Sequence, residues 1–342
     1  MKSAYDAVLV LSFGGPEKHE DVIPFLENVL RGRHVPRERM LEVAEHYYHF
    51  NGRSPINDQN RALIDALRLE LGANGPDLPV YWGNRNWHPL LTDTLREMQA
   101  DGVTRALAFV TSAFSSYSGC RQYREDIDRA RAEIGDRVPA VDKIRVFFNH
   151  PGFINAMISR VGDALQEFAG NDRSGLKLIY TAHSVPTAMA TGSDYVAQLN
   201  DAARLISESV DVNEWELVYQ SRSGPPTQPW LEPDICGRLR ELHSEKCRNV
   251  CVVPLGFISD HMEVLFDLDT EAAALATELG IRMVRAGTVG THPAFIAGIR
   301  DLIDERVSGS SERAVVGRLP SCPDICAIDC CPAPSRPSVV RH

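Results

Sequence analysis

The stretch Leu176–Pro186 reads LKLIYTAHSVP and predicts a buried strand with a chemically active end. Its near-continuous apolar run is typical of a strand that is covered on both faces of a parallel sheet. The run ends at one histidine, His183. Three residues later, Pro186 disfavours a helical conformation for the residue before it. Because open α/β sheets bind ligands at the carboxyl ends of their strands, His183 is a candidate site residue. A histidine that only caps a loop is the competing interpretation.

Other apolar runs resemble this strand, and amphipathic stretches separate them. These runs are residues 6–13, 79–83, 105–114, 143–148, 215–220, 249–255 and 281–284. Helical periodicity is clear in residues 60–71, where Leu63, Ile64, Leu67 and Leu71 share one side. Alternation of strands and helices predicts a doubly wound α/β architecture. Four runs precede position 150 and four follow it, so we expect two similar domains with four-stranded parallel sheets.

The same pattern divides the chain into two domains and a tail. We expect a first domain over residues 1–150 and a second over 151–291, with the helix at 292–308 completing the first. Residues 309–342 are rich in Ser, Pro and Cys and have no helical period, which is the composition of a floppy terminus. Four clustered cysteines within this tail argue for order instead.

Composition and charge exclude several classes of function. The chain has 342 residues, of which 44% are hydrophobic and 24% charged, as in an ordinary soluble globular protein. A formal charge of −10 argues against a nucleic-acid partner. The apolar run near the N-terminus is too short to span a membrane and lacks a small-residue cleavage site. We therefore expect a cytoplasmic protein with no integral membrane segment. We also expect it to be a monomer.

A second strand end carries carboxylates. The penultimate apolar run is followed by GFISDHMEVLFDLDTEAA, in which Gly256 breaks the strand before a new helix. Glu263, Asp267 and Glu271 follow one another at a spacing of four residues, which places them along one helix face. A solvated acidic face is the commoner fate of such a ladder. With His261 beside it, the ladder could also lead a hard or borderline cation to a site.

The remaining strand ends carry aromatic residues rather than phosphate-binding motifs. LSFGGPE is not a G-x-G-x-x-G motif and the chain has no Walker A sequence, so nucleotide binding has little support. The aromatic residues near these strand ends are Trp82, Trp87, Phe114, Tyr117, Tyr123 and Trp230. Together with hydroxyl groups and a few arginines, they predict a cleft for a large, flat ligand with acidic corners.

The motifs, taken in order, resemble those of the ferrochelatases. They are LSFGGPE, RGR at Arg31–Arg33, SPIN at Ser54–Asn57, TSAFSSYSGCRQYRED, TAHSVP, QSRSGPPTQPWLEPD and GFISDHMEVLFDLD. The resemblance is closest to the soluble bacterial enzymes that act on coproporphyrin III and carry a C-terminal [2Fe–2S] motif. It implies a chelatase-like fold with the cleft between two Rossmann-like domains. It also implies a lyase of haem biosynthesis that inserts Fe²⁺ into coproporphyrin III to give Fe-coproporphyrin III.

Family membership would place His183 and Glu263 at the metal. His183 would accept a proton from the ring, and Glu263 would bind the metal and carry a proton. A neutral imidazole with a pKa near ~6.5 suits this task at cellular pH, and we expect partial desolvation to keep His183 neutral. Asp267 and Glu271 would act as feeder carboxylates that carry ions or protons to Glu263.

The resemblance also implies residues that hold the tetrapyrrole. Ser54 and Tyr123 would contact the ring, and Arg31 and Arg33 would pair with its propionates. Phe13 stands where related enzymes have a tyrosine, which excludes an axial phenolate from that position. The polar stretch after SPIN favours a soluble ring with four carboxylates. A protoporphyrin IX ferrochelatase, a cobalt or sirohydrochlorin-type chelatase, and a non-catalytic tetrapyrrole- or metal-binding protein are the alternatives.

The tail cysteines are spaced Cys322-x3-Cys326-x3-Cys330-Cys331. Disulfides are the weaker interpretation in a chain without a secretion signal, and the spacing alone leaves zinc and an iron–sulfur cluster equally open. The resemblance implies a [2Fe–2S] cofactor bound by three tail cysteines and the internal Cys120. We favour Cys322, Cys326 and Cys331 for the three tail positions, with Cys330 as the alternative.

Overall fold

The computed structural model describes residues 4–32, 35–168, 170–173, 175–224 and 227–333. Within these ranges the strands are β1 (Ala7–Ser12), β2 (Val80–Asn84), β3 (Arg105–Val110), β4 (Ala140–Lys143), β5 (Lys177–His183), β6 (Trp215–Gln220), β7 (Asn249–Val253) and β8 (Arg282–Arg285). They form two parallel sheets with the orders β2-β1-β3-β4 and β6-β5-β7-β8. The second sheet repeats the order of the first, so the predicted pair of four-stranded parallel sheets is confirmed.

Helices connect the strands. The α-helices are α1 (Val22–Val29), α2 (Arg37–His49), α3 (Ile56–Asn74), α4 (Leu91–Ala100), α5 (Gln122–Ile134), α6 (Pro151–Leu165), α7 (Thr187–Thr191), α8 (Tyr195–Ser209), α9 (Ile235–Ser244), α10 (Ala273–Glu278) and α11 (Pro293–Val307). A first π-helical segment (Tyr117–Arg121) leads into α5, and a second π-helical segment (Val264–Ala272) leads into α10. None of the helices in the described ranges is long and apolar enough to cross a membrane.

Burial explains why the apolar runs form central strands. All six residues of β1 are buried, and so are Leu178–Ala182 of β5. One hydrophobic cluster joins the two sheets, since it contains Val8 and Leu107 together with Leu178. Each fully buried side chain of this size stabilises the fold by about 1.5–3 kcal/mol relative to exposure. The two halves therefore share a core.

The fourth strand lies earlier than its apolar run predicts. We expected a strand at residues 143–148, but β4 covers Ala140–Lys143 and pairs with β3 from Arg105↔Ala140 to Ala108↔Lys143. The following residues, 144–148, are buried without being in a strand. Their apolar character reflects their burial in the connection to α6, whereas β4 is a half-exposed edge strand.

The segment that follows α11 is held by polar contacts at residues 316–318. Helix α11 packs against α3 and α6, and beyond it the tail has no regular structure within the described residues. The backbone N–H of Val316 donates to the Asn149 carbonyl at 2.9 Å, and that of Arg318 donates to Asp201 at 3.0 Å. At these residues the tail is therefore docked on both halves. The domain boundary at residue 150 stays a prediction.

Candidate active site

His183 is the last residue of β5, and its side chain is 32% exposed. Its Nδ1 lies 2.5 Å from the carbonyl oxygen of Ser184. Because a carbonyl can only accept, this contact assigns a proton to Nδ1 and directs Nε2 away from the backbone. Nε2 lies 3.5 Å from Oε1 of Glu263. The structure thus brings together the two residues expected at the metal.

Two neighbours hold this pair in place. Tyr195, at the start of α8, donates its hydroxyl to the His183 carbonyl at 3.1 Å. Glu263 directly precedes the second π-helical segment, and its backbone N–H donates to Nδ1 of His261 at 3.2 Å. His261 therefore supports the backbone of Glu263 and is not itself one of the paired groups.

His183 and Glu263 shift each other's pKa toward the charged forms. Burial alone would lower the pKa of His183, but the carboxylate of Glu263 outweighs it and raises the pKa to about 9. Burial would raise the pKa of Glu263, but the His183 imidazolium lowers it to about 2. The raised pKa contradicts our expectation of a neutral His183. Desolvation is present as expected, but the sequence does not reveal that a carboxylate lies 3.5 Å from the ring.

The next carboxylate of the ladder is held by β6. Gln220 donates its Nε2 to Asp267 at 3.3 Å, and the hydroxyl of Ser221 donates to the same oxygen. Burial raises the pKa of Asp267 to about 7, a shift that the Ser221 hydrogen bond opposes and repulsion from Glu263 reinforces. Asp267 therefore exchanges a proton near neutral pH.

The outer end of the ladder faces solvent. Glu271 is exposed, and partial burial followed by repulsion from Asp234 raises its pKa. The ladder thus leads from His183 and Glu263 to an accessible carboxylate. Its helix is of the π type rather than the expected α type, a rare form that is frequent at functional sites. The periodicity of the sequence carries no signal for this change.

The first half contributes residues that lie over the ladder. His46 of α2 stacks on Phe266 with ring centres 3.7 Å apart. Gln59 of α3 accepts the backbone N–H of Asp260 at 2.9 Å. Burial, followed by the charge of Glu263, raises the pKa of Tyr47. His46, Tyr47 and Gln59 belong to none of the motifs found in the sequence. They could be assigned to the site only from the contacts that α2 and α3 make with the second half.

The residues expected to hold the ring lie in the first half. Ser54 and Tyr123 are buried, and the guanidinium carbon of Arg85 lies 4.6 Å from the centre of the Tyr123 ring. Arg85 was not among the predicted site residues. It also pairs with Asp126 at 2.5 Å and lies over the ring of Phe13, which is 37% exposed.

The two arginines of the RGR motif have different outcomes. Arg31 is exposed and donates to Oδ1 of Asn28 at 2.5 Å. Arg33 lies outside the described residues. The structure therefore leaves the propionate-binding role of both arginines a prediction.

The cysteine side chains converge between the tail and the first half. The thiols of Cys326 and Cys331 hydrogen-bond to the sulfur of Cys120, which lowers the pKa of Cys120 and raises theirs. Cys322 accepts from Nε2 of Gln198 at 3.4 Å. Cys330 lies 3.6 Å from Cys331, sulfur to sulfur. Among the described residues no group of three or more His, Cys, Asp or Glu side chains is already arranged around a metal position.

The fold is that of the chelatases. The cobalt-bound sirohydrochlorin chelatase SirB from Bacillus subtilis subspecies spizizenii superposes with a TM-score of 0.52 at 11% identity, over 90% of this chain and 98% of SirB. SirB from Bacillus subtilis with Fe³⁺ gives 0.56 at 11% identity and the same coverage. At this identity the likeness describes the fold alone.

Sequence relatives define the family. The profile described as Ferrochelatase matches residues 5–307. The Ferrochelatase of Rhodopirellula baltica is 56% identical over 98% of this chain and 96% of its own length. The Coproporphyrin III ferrochelatase of Streptomyces coelicolor is 51% identical over 97% and 94%. The chain belongs to the ferrochelatase family and is accordingly a lyase of the metal-chelatase kind.

Proposed function

We propose that the protein inserts Fe²⁺ into coproporphyrin III and gives Fe-coproporphyrin III for haem biosynthesis. The observation that carries this proposal is the pair of His183 Nε2 and Glu263 Oε1, 3.5 Å apart at the end of β5 in a ferrochelatase-family chain. The choice of coproporphyrin III is supported by relatives of that name, such as those of two Streptomyces species at 51% identity.

The charged resting pair indicates an order of events. Nε2 of His183 carries a proton because Glu263 is ionised beside it. When the substrate Fe²⁺ binds to Glu263, its positive charge cancels the field that holds this proton, so the pKa of His183 falls. The proton then leaves through Asp267, whose pKa of about 7 suits an acceptor that passes protons on to Glu271. Nε2 is then free to accept one of the two pyrrolic protons of the ring, and the second is taken up in the same way once the first has passed to Asp267 and on to solvent.

The ring is held from the first half in this proposal. Ser54 and Tyr123 contact the tetrapyrrole, and Arg31 and Arg33 pair with its propionates. The ion pair with Asp126 and the stacking on Tyr123 keep Arg85 in place, which in turn fixes the Tyr123 ring. Action as a monomer in the cytoplasm stays a prediction.

We also propose that Cys120, Cys322, Cys326 and Cys331 bind a [2Fe–2S] cluster. The donor set fits, because the sulfurs of Cys326 and Cys331 contact that of Cys120 and thiolates are the usual ligands of such clusters. The contact with Cys120 supports Cys331 over Cys330 as the last ligand. When bound, the cluster supplies a covalent connection between the tail and the first half, together with thiolate-to-iron absorption.

A positive charge supports the same assignment. Lys143, the last residue of β4, lies close enough to Cys120 to lower the pKa of its thiol further, after the larger effect of the two tail thiols. An ammonium group beside several sulfurs stabilises thiolates and hence metal binding.

The decisive experiment measures anaerobic Fe²⁺ insertion into coproporphyrin III and protoporphyrin IX side by side. We expect the higher kcat/KM with coproporphyrin III. A preference for protoporphyrin IX would replace the substrate assignment. His183→Ala separates catalysis from binding, since it should abolish insertion and keep porphyrin affinity. A wild-type protein that binds both rings and inserts no metal would be a binding protein instead.

A further inference from the structure

We infer that Gln220 is a positioning residue of this site, whose side-chain amide fixes the carboxylate ladder against β6, the strand paired with the one that carries His183. The inference deepens the proposed function and rests on it for its catalytic consequence. Its test therefore includes a metal-binding measurement that does not depend on insertion.

The backbone of Gln220 belongs to the strand beside His183. Gln220 is the last residue of β6 and stands opposite His183 in the register of the second sheet. The N–H of Ser184 donates to the Gln220 carbonyl at 2.8 Å. Parallel pairing thus fixes the main chain of Gln220 relative to the proton acceptor.

Its side chain reaches the helix on the other side of the site. Nε2 donates to the carbonyl of Glu263 at 3.1 Å and to Oδ2 of Asp267 at 3.3 Å. The residue is 1% exposed, so water does not compete for these bonds. One amide therefore connects β6, the strand paired with that of the proton acceptor, to both inner carboxylate residues of the ladder.

The other end of the amide supports a specific role. Oε1 of Gln220 is buried and finds no hydrogen-bond partner among the residues that the structure describes. An unsatisfied buried acceptor destabilises a fold, and an apolar side chain of similar length would avoid that cost. The two donor bonds of Nε2 are what the glutamine contributes here.

Ser221 supplies an independent contact of the same kind. Its backbone has φ = 61°, a left-handed conformation that is uncommon outside glycine. In this conformation its hydroxyl donates to Asp267 and also hydrogen-bonds to Glu263. Gln220 and Ser221 thus both hold the Asp267 carboxylate. Of the two, Gln220 also holds the backbone of the ladder, through the carbonyl of Glu263.

The expected consequence concerns the approach of iron. Asp267 lies on the ladder that feeds Glu263 and not at the reacting nitrogen atoms, so a displaced Asp267 should weaken metal capture more than the chemical step. Hydrogen bonds to charged groups are strong enough for about a tenfold effect. We expect Gln220→Met to raise the KM for Fe²⁺ about tenfold, with kcat within about threefold and the KM for porphyrin unchanged.

The experiment compares three variants with the wild type. Gln220→Met keeps the length of the side chain and removes its donors, and Gln220→Asn keeps an amide that falls short of the ladder. Ser207→Ala is the matched control, because it removes the buried 2.8 Å hydrogen bond between Ser207 and Tyr180 of β5. Ser207→Ala should lower the Tm, and only the Gln220 variants should raise the KM for Fe²⁺.

Titration with Co²⁺ alone, followed by visible absorption without porphyrin, gives the second readout. Both Gln220 variants should bind Co²⁺ about tenfold more weakly, and Ser207→Ala should bind it as the wild type does. Unchanged Co²⁺ affinity in Gln220→Met and Gln220→Asn overturns the inference. So does an equal loss in Ser207→Ala, since the effect would then come from general loosening. A wild type that binds Co²⁺ and inserts no iron refutes the proposed function and leaves this comparison valid.

Discussion

The two halves of the molecule carry π-helical segments at equivalent places. In the first half, β3 leads into Tyr117–Arg121 and then α5. In the second half, β7 leads into Val264–Ala272 and then α10. Both segments follow the strand that occupies the third position of its sheet. The repeat in topology therefore extends to an uncommon helix type.

The side chains on the two segments differ in chemical kind. The first segment carries Cys120, which gathers sulfur atoms from the tail. The second carries Asp267 and Glu271 and directly follows Glu263, so it presents oxygen atoms. Thiolates select soft metals and iron–sulfur clusters, whereas carboxylates suit harder cations in exchange with water. In the proposed function, the same scaffold position therefore holds a metal group in one half and passes a metal ion on in the other, depending on the ligands.

Each segment also meets a positive charge from a strand end. The ammonium of Lys143, on β4, lowers the pKa of the Cys120 thiol further after the effects of the two tail thiols. The imidazolium of His183, on β5, opposes burial and lowers the pKa of Glu263. Lysine stays charged at neutral pH, whereas histidine can give up its proton. The first site therefore suits retention of a metal group, and the second suits turnover.

Removal of the negative charge of Glu263, beside His183, should give the largest effect. Glu263→Gln keeps the shape of the side chain and removes its charge and basicity. We expect kcat to fall by about 10²–10⁴-fold, which is the usual contribution of a positioned acid–base group. The pKa of His183 should fall as well, because the carboxylate that raises it is gone. Steady-state insertion assays and NMR titration of the histidine measure the two outcomes.

The control for this variant is porphyrin affinity. Glu263→Gln should bind the ring as the wild type does and should keep its Tm within a few degrees. If kcat were to stay within about threefold of the wild type, Glu263 would have no role as metal ligand or proton carrier.

The proposed cluster at Cys120 and the three tail cysteines is tested by the colour of the protein. The wild type should contain about two irons and two acid-labile sulfides per chain and absorb in the visible. Cys120→Ser should lose this absorption as completely as Cys326→Ser, although Cys120 lies in a distant part of the sequence. The Tm should fall in both, because a group that binds only the folded state stabilises it.

Cys330→Ser is the matched control, since its sulfur contacts Cys331 but not Cys120 in the described hydrogen bonds. It should retain its colour. A colourless wild type that carries one zinc ion, or a Cys120→Ser variant with full absorption, would contradict the cluster.

The sequence predicts the strands and the strand-end histidine well, because buried parallel strands can be recognised as apolar runs. β5 and β6 agree with their predicted runs to within a residue or so. β4 does not, since residues 144–148 are apolar for burial in a connection and not for pairing. An apolar run reports burial, and only tertiary pairing makes it a strand.

The electrostatics of the site could not be predicted in the same way. The pKa of His183 depends on an oxygen 3.5 Å away on a segment 80 positions further along the chain. The contacts of Gln220 and Ser221 depend likewise on the register of β6 with β5 and on the π geometry of the next element. Motif spacing identified Glu263 and Asp267, but not the groups that hold them.

The smallest effect concerns Asp267 and the pH dependence of stability. The pKa of this carboxyl is raised to about 7 in the folded protein, mainly by burial, from an ordinary value of 3.8. Between about pH 4 and pH 7 the folded state therefore binds more protons at this residue than the unfolded state, so rising pH destabilises the fold. Asp267→Asn cannot titrate. As the pH rises from about 4 to about 7, the free energy of unfolding of Asp267→Asn should increase relative to that of the wild type by about 1–2 kcal/mol, after allowing for solvent screening. Above about pH 7 the difference between the two proteins should stay constant. Urea unfolding at several pH values measures this difference.

Asp269→Asn is the control of opposite sign, because it breaks a 2.5 Å ion pair with Arg285 and should lose stability at neutral pH. Parallel pH curves for Asp267→Asn and the wild type would mean that the inner ladder is as well solvated as an ordinary surface carboxylate, and that Asp267 is no proton carrier near neutral pH.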